Sequence, residues 1–246
     1  MISFFHEYLY IPIYNLLIYL VGVLPGADIG LAVVIVTLIV KFVTLPLSIS
    51  ALKTQRAMRR LEPKLKELKE TYKDDKQKQA EMMFALYKEE NVKPFSSMLG
   101  MFIQIPVLIT LFLVFQRESM SQVNPDILYS FVNDPGTFSA LFLGFFVIAG
   151  HNIILAVLAA ATQFVQAYFA IPIPKRDPNS LQDKGAMQAE FGRAMAVQAR
   201  YVLPFVIGAV AFTSGAVALY FITSNIVGIL QEFFVKRTIA EEPVAA

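Results

Sequence analysis

The polar side chains that could do chemistry in this sequence are few, and they lie inside long apolar runs. The clearest is Lys41, within the stretch VVIVTLIVKFVTLPLS at residues 33–48. Thr37 precedes it by one helical turn and Thr44 follows it by nearly one turn, so the three share one side of a helix. A lysine there can attract an acidic group, or its flexible stem can carry the ammonium to water. Both uses point to binding or guiding rather than to covalent chemistry.

A catalytic or metal-binding set does not accompany this lysine. The sequence contains no cysteine, which excludes thiol nucleophiles, thiolate metal sites and disulfides. His6 and His151, the two histidines, are far apart and do not follow a metal-ligand spacing. We therefore predict no enzymatic activity, no metal and no cofactor.

Composition places these residues in a membrane. Of the 246 residues, 56% are hydrophobic and 16% are charged, and the mean hydropathy is +0.57, unlike a typical soluble domain. A bilayer core about 30 Å thick needs roughly 20 apolar residues of helix to cross it. The sequence has apolar runs of about that length, and we predict five spans: 29–48, 95–116, 151–170, 199–213 and 216–234.

Two apolar stretches, 201–234 and 3–22, each allow more than one assignment to membrane spans. Residues 201–234 would form a helix about 50 Å long, too long for one crossing, so we place a turn at Thr213, Ser214 and Gly215 and expect two short spans. Pro204 favours a bend or a helix start at the first of them. Residues 3–22 favour an interfacial helix over a sixth crossing, which remains the alternative.

Charge predicts the orientation. Residues 49–94 carry twelve Lys or Arg, whereas 1–28 and 117–138 carry one between them, so 49–94 is predicted to be cytoplasmic. The N-terminus is then outside and the C-terminus inside. The other segments are 1–28 (interfacial helix and lead-in), 117–150 (extracytoplasmic loop with an interfacial segment), 171–198 (cytoplasmic loop) and 235–246 (cytoplasmic tail).

The cytoplasmic segment is predicted to be a helical hairpin. Apolar residues recur at three-four spacing through both halves, for example Leu61, Leu65 and Leu68, then Leu86. Pro63 suits the first turn of a helix, and Asp74 or Asp75 can cap the next one. Eight acidic residues offset the twelve basic ones, which argues against direct nucleic-acid binding. The overall prediction is an all-α integral membrane protein with a five-helix transmembrane core, an N-terminal interfacial helix and this cytoplasmic hairpin.

Further polar residues lie in the predicted spans. Any one of them could make an ordinary hydrogen bond between helices, but together they favour a hydrated groove open to the cytoplasm. Counted back from Ser48, Lys41 lies about 10 Å inside the hydrocarbon, and a snorkelling lysine is the alternative. In the five predicted spans no Asp or Glu precedes Glu232. The residues are Gln104 in the second span, Gln163 and Gln166 in the third, and Ser224 and Asn225 in the fifth.

Three stretches resemble the YidC family of membrane protein insertases, which includes the oxidase-assembly and Albino insertases. GLAVVIVTLIVKFVTLPLS resembles the first core span, with a basic residue four after a threonine and a closing LPL. DDKQKQAEMMFALYKEENVKPFSSMLGMFIQIPVLITLF resembles the second hairpin helix and the entry to the second core span, with NVKP where the family often has NP. GAVALYFITSNIVGILQEFFVKR resembles the closing span. The likeness runs from about Gly30 to Arg237.

The sequence also departs from the family. Lys41 replaces the usual groove arginine, which keeps the charge but loses the planar fork of donors. We expect the large extracytoplasmic domain of many relatives to be absent, and the tail TIAEEPVAA is not basic.

The resemblance implies an insertase and chaperone that helps nascent membrane proteins enter and fold through a positively charged groove open to the cytoplasm and the lipid. It implies a multi-pass protein of the bacterial plasma (inner) membrane. Its implied partners are nascent membrane proteins and the lipid bilayer, with the ribosome, the signal recognition particle pathway and the Sec translocon as further candidates.

The implied site residues fall into two groups. Tyr220 or Phe221 stands where the family carries an aromatic substrate contact. An adaptable apolar surface or ordinary packing is the expected role of Met82, Met83, Met98 and Met101. A small transporter or anion channel is the alternative function, although the sequence shows no internal repeat. The groove set is Lys41, Thr37, Gln104, Tyr220, Phe221, Ser224 and Asn225, and the hairpin recruitment set is Met82, Met83 and Tyr87.

Overall fold

The computed structural model of the chain describes residues 6–90, 92, 106–110, 112–113, 123–136, 138–171, 173 and 184–241. Every long element is a helix: α1 (Ile11–Val23), α2 (Ile29–Val43), α3 (Leu45–Thr71), α4 (Lys76–Glu89), α5 (Ile153–Ala170), α6 (Lys184–Val197), α7 (Leu203–Phe212) and α8 (Gly215–Glu241).

Shorter elements connect these helices. Single π-helical turns occupy His6–Tyr10 and Gln198–Val202, and 3₁₀ turns occupy Pro25–Ala27 and Pro125–Ile127. Residues 106–110 and 112–113 are helical as well. Two short strands, β1 (Leu141–Phe142) and β2 (Phe146–Val147), pair antiparallel within the predicted interfacial segment, where the sequence analysis expected no strand.

Among the described residues, three helical stretches are long and apolar enough to cross a membrane: Ile153–Ala170, Glu190–Phe212 and Gly215–Arg237. The pair Ile29–Val43 and Leu45–Thr71 passes the same test together, as a fourth candidate. The predicted second span, 95–116, lies mostly outside the described residues, so the count of five spans stays a prediction.

The helix that contains the fourth predicted span is longer than that span, whose bounds stay a prediction. The helix runs on from Lys184 through the π turn to Phe212, and the apolar stretch within it covers 23 residues. Pro204 is the second residue of α7, directly after the π turn, where the sequence favours a bend or a helix start. The break between α7 and α8 falls at Thr213 and Ser214, within the predicted turn.

The chain divides into two compact units, and the larger comprises residues 1–42 and 107–232. Its hydrophobic core includes one face of α1, where Tyr14, Leu17 and Val21 are at most 2% exposed. Buried Asn15 joins α1 to the segment after Pro125: its Nδ2 donates to the Ile127 carbonyl at 2.8 Å and its Oδ1 accepts from the Tyr129 N–H at 2.7 Å. Whether α1 lies at the membrane interface stays a prediction.

The strand pair β1–β2 is held to the start of α2 by one carboxylate. Asp28 caps α2 by accepting from the Leu31 N–H at 2.9 Å, and its other oxygen accepts from the Leu143 N–H at 2.7 Å. Leu143 has a positive φ of 51°, which a non-glycine residue adopts only where its surroundings hold it. Asp28 therefore both starts a helix and stabilises the strained turn of this hairpin.

Small residues let α5 and α7 approach closely. Asn152 caps α5 by accepting from the Leu155 N–H at 3.1 Å, near the helix start that the sequence predicts. On α7, a Cβ added at Gly208 would lie 3.1 Å from the Cβ of Ala160. The two helices therefore pack backbone to backbone, as is common between membrane helices.

The second unit, residues 43–106 and 233–246, contains the helical hairpin of α3 and α4. Leu61 and Leu86 are buried between the two helices, and Met58, Leu65 and Leu68 pack around them. Asp75 caps α4 by accepting from the Lys78 N–H at 2.9 Å.

One expectation for the hairpin is wrong. Pro63 was expected in a first helical turn, but it lies inside α3, which continues to Thr71. A proline removes only one backbone hydrogen bond, and the leucines on either side of Pro63 pack against α4, so the helix persists through it.

Candidate functional site

Lys41 continues the buried face of α2. Val33, Thr37 and Lys41 follow one another at intervals of one helical turn. Val33 is fully buried, Thr37 is 1% exposed and Lys41 is half-buried. The Thr37 hydroxyl donates to the Val33 carbonyl at 2.7 Å, so its proton stays within its own helix. The neighbouring Phe42 and Val43 are 74% and 70% exposed, as expected of a lipid-facing surface.

The break at Pro46 sets the position of Lys41 within its helix. Helix α2 ends at Val43 and α3 begins at Leu45, because Pro46 lacks an N–H and its ring clashes with a continuing turn. Lys41 is thus two residues from the helix end, a rise of about 3 Å. Its depth of about 10 Å in the hydrocarbon, counted from Ser48, stays a prediction.

The predicted groove residues of α8 are buried. Tyr220 is 2% exposed, Phe221 7%, Ser224 7% and Asn225 3%, and the rings of Tyr220 and Phe221 meet edge to face at 5.3 Å. Both rings belong to the same hydrophobic cluster as Val33 of α2. Residues of α5, Ala156 and Ala159, belong to this cluster as well, so neighbouring helices enclose both rings.

A polar seam joins α5 to α8. Asn225 Nδ2 donates to the Thr162 hydroxyl oxygen at 3.2 Å, and the amide of Gln166 lies against Gly228, where even a Cβ would clash with it. The sequence indicates Asn225 and Gln166 as polar residues inside predicted spans, whereas Thr162 is not among the residues predicted there. The spacing of Thr162 and Gln166, one helical turn apart, was the available signal.

Some buried polar atoms in the larger unit lack a protein partner among the described residues: Thr110 Oγ1, Tyr220 Oη and Gln231 Nε2. The Tyr220 hydroxyl interacts with the Ser224 side chain one turn later, but in a geometry short of a full hydrogen bond. Buried polar atoms are normally satisfied, and the usual supplier besides protein is water. These atoms mark positions where water or a polar substrate group would be stabilised.

The remaining predicted groove residue, Gln104, lies outside the described residues, as do Met98 and Met101. In the hairpin recruitment set, Met82 and Met83 are half-buried, and Tyr87 packs against the Leu61–Leu86 cluster. Burial raises the pKa of Tyr87. Phe84, which the sequence analysis did not single out, is 61% exposed and offers the larger apolar surface on α4.

The two histidines serve aromatic contacts. His6 stacks on Tyr10 at 5.2 Å between ring centroids, and His151 lies 4.9 Å from the ring of Phe212. Within the part of the chain that the structure describes, no group of three or more His, Cys, Asp or Glu side chains is placed to hold a metal ion.

Comparison with known proteins decides the family. Residues 21–242 match the family described as 60Kd inner membrane protein. The chain belongs to the YidC family. This confirms the resemblance drawn from the three sequence stretches, and the helical, apolar fold is that of an all-α membrane protein.

Two relatives of this YidC-family chain illustrate the likeness. The protein named "Membrane protein insertase YidC" of Francisella philomiragia subsp. philomiragia is 32% identical over 237 residues, 96% of this chain and 36% of the relative. The protein of the same name from Francisella tularensis subsp. novicida is 33% identical with the same coverage. The chain therefore spans about a third of the length of the curated relatives it matches.

Proposed function

We propose that this chain is a membrane protein insertase and chaperone of the bacterial plasma membrane, acting on nascent membrane proteins. One observation carries the proposal beyond the family name. Buried polar side chains, some with unpartnered atoms, lie in helices apolar enough to cross a membrane. Polar groups in such helices are costly and usually mark a functional path.

The mechanism follows from the cost of dehydration. Moving a short polar segment of an arriving chain through hydrocarbon is opposed because its peptide groups and charges lose water. Thr37, Ser224 and Asn225, with Gln104, would line a hydrated groove that replaces part of that water. Lys41, near the cytoplasmic end of α2, would attract acidic groups of the segment at the entrance.

Membrane thinning would shorten the remaining path. Helix α2 has 15 residues, about 22 Å of rise, against a hydrocarbon core of about 30 Å. A span that is too short is accommodated by local thinning or by covered ends.

Separation of α5 from α8 would expose the aromatic contact. The Asn225–Thr162 hydrogen bond and the Gln166–Gly228 contact close this seam. Interhelical hydrogen bonds in membranes are weak, about 0.6 kcal/mol on average, so an arriving apolar segment can compete with them. Tyr220 and Phe221 would then become available to the substrate.

The proposal includes the orientation and partners predicted above: N-terminus outside, C-terminus in the cytoplasm, and the hairpin with Met82, Met83 and Tyr87 recruiting substrates. The ribosome, the signal recognition particle pathway and the Sec translocon are candidate partners, and no nucleic acid binds directly. No covalent step is required, so the protein acts without catalytic residues or a cofactor.

Insertion into liposomes tests the proposal. Purified protein is challenged with a short single-span substrate that carries an acidic extracellular segment. We expect Lys41→Ala to lower its insertion at least about tenfold, because a charge-assisted interaction contributes roughly 1.5 kcal/mol or more. Lys41→Arg should retain insertion. Lys236→Ala removes a lysine that is exposed on α8 and serves as the matched control.

Two outcomes contradict the proposal. Normal insertion by Lys41→Ala at equal protein level would show that the charge of Lys41 does not support insertion. Anion flux through the same liposomes, without any insertion, favours a channel or transporter instead.

A further inference from the structure

Arg200 is fixed at the end of a membrane-spanning helix. It lies in the π turn Gln198–Val202, and its Nη2 donates to the main-chain carbonyl of Tyr168, two residues before α5 ends. The guanidinium lies 4.1 Å from the centroid of the Tyr168 ring. A cation at this place is stabilised by the last carbonyls and the negative end of the α5 dipole.

The protein leaves this guanidinium incompletely satisfied. Arginine has five N–H donors, and its Nε is buried without an acceptor among the described residues. The side chain as a whole remains half-exposed. Among the described residues the guanidinium has no acidic partner, and the exposed part of the side chain is where an anionic group can approach.

In the predicted topology, where α5 ends and the fourth span at 199–213 begins on the cytoplasmic side, the surroundings of Arg200 are those of a membrane interface. Tyr168, Phe169 and Tyr201 are 52%, 46% and 44% exposed, and the Phe164 ring links Tyr168 and Tyr201 at centroid distances of 6.3 and 6.0 Å. Aromatic rings with an arginine at the end of a span are typical of the headgroup level.

Exposed apolar side chains continue from this cluster toward the predicted hydrocarbon. Val165 on α5 is 41% exposed and Phe205 on α7 is 78% exposed. Both lie on spans whose packing leaves them open to acyl chains. The guanidinium and this apolar surface together fit an amphiphile with an anionic head better than a free ion.

Charge selects the kind of amphiphile. Residues 171–200 carry five Lys or Arg and three Asp or Glu, and this segment is predicted to face the cytoplasmic leaflet. That leaflet is anionic, and arginine binds phosphate oxygens through paired N–H donors. An added choline ammonium would be repelled by the guanidinium.

We propose that Arg200, flanked by Tyr168 and Tyr201, binds the phosphate of an anionic phospholipid from the cytoplasmic leaflet. The bound lipid bridges the end of α5 to the start of α7, because Arg200 belongs to the turn before α7 and is hydrogen-bonded to α5. The site does not depend on insertase activity and is occupied without a substrate.

Lipid binding to the purified full chain tests this site. Native mass spectrometry would count adducts of phosphatidylglycerol and of phosphatidylcholine with identical acyl chains. We expect at least about a fivefold preference for phosphatidylglycerol, which is the effect of one basic residue at an anionic surface. Arg200→Gln should abolish the preference, Arg200→Lys should keep part of it, and Arg193→Gln on α6 should leave it unchanged as the matched control.

Competition and labelling distinguish the alternatives. Millimolar glycerol phosphate should not displace the lipid, and full displacement would assign the site to a free phosphate. Displacement by an acidic peptide would assign it to a protein partner. In the wild type, phosphatidylglycerol with a photoreactive headgroup should label peptides that contain Tyr168 or Tyr201. Labelling confined to other regions, or an unchanged preference in Arg200→Gln, overturns the proposal.

Discussion

Substitution of Gly215 by alanine tests how the start of α8 is held. The Gly215 N–H donates to the Gly150 carbonyl at 3.1 Å, so α8 begins against the segment that follows β2. A Cβ added at Gly215 would lie 2.7 Å from the Ile148 Cα and 3.1 Å from the Ile148 carbonyl oxygen. Both are backbone atoms, which cannot turn aside as a flexible side chain can.

The clash has a predictable size. Ordinary contact begins near 3.4 Å, so one of the two backbones must move by about 0.7 Å. Ile148 is fully buried, and overpacking at such a site typically costs about 1–3 kcal/mol. A chain of this length loses about 2–4 °C of melting temperature per kcal/mol, so we expect Gly215→Ala to melt about 2–12 °C lower.

Gly192→Ala supplies the matched control. Gly192 is exposed on α6 and a Cβ there would meet no atom within 4 Å, so alanine should stabilise the helix by about 0.5–1 kcal/mol. The assay is thermal unfolding in detergent, followed by helical circular dichroism at one scan rate. If Gly215→Ala melts with the wild type or shifts upward like Gly192→Ala, the close approach of Ile148 and Gly215 is wrong.

Three further predictions concern the polar contacts. Asn225→Leu removes the hydrogen bond to Thr162, so we expect the free energy of unfolding to fall by about 0.6 kcal/mol. Crosslinking of α8 to a stalled nascent span should become easier. Unchanged crosslinking would contradict the proposal that this hydrogen bond closes the contact between α5 and α8. Asp75→Ala removes the cap of α4 and should cost about 1 kcal/mol, seen as faster hydrogen exchange in the first turn of α4 alone. The hydrogen bond and charge of Glu90, 2.6 Å away, raise the pKa of Lys64 above 10.5, so this contact stabilises the hairpin below that pH and is lost as pH rises through the higher folded value. The melting difference between wild type and Lys64→Gln should therefore vanish once the pH exceeds the folded pKa of Lys64, and also at about 1 M salt. A difference that persists under either condition would contradict an electrostatic origin.

Local patterns determined much of the architecture from the sequence. The length and apolarity of residues 153–170, with Asn152 before them, indicate a capped membrane helix, because the bilayer sets the length and the asparagine satisfies the first N–H groups. The break near Ser214 and the leucine spacing of the hairpin are local in the same sense. The three family stretches identified the YidC family without any tertiary information.

Tertiary packing decided where local signals conflict. Pro63 signals a helix start, yet α3 continues through it because leucines on both sides of Pro63 pack against α4. Pro46 signals a helix start too, and there the chain does break, so Lys41 lies near the end of α2. Proline chemistry is the same at both positions, and only the surrounding contacts distinguish them.

Long-range pairing could be read only from the structure. Asn225 meets Thr162 across 63 residues and Asp28 meets Leu143 across 115, and no periodicity in the sequence encodes such partners. The apolar and polar residues of α8 predicted a groove lining, but packing buried Tyr220 and Phe221 within the core. The sequence by itself determined which residues are polar inside the membrane, because that depends on composition and helix length. Only the tertiary structure decided which of them face protein, because burial depends on neighbours that lie far apart along the chain.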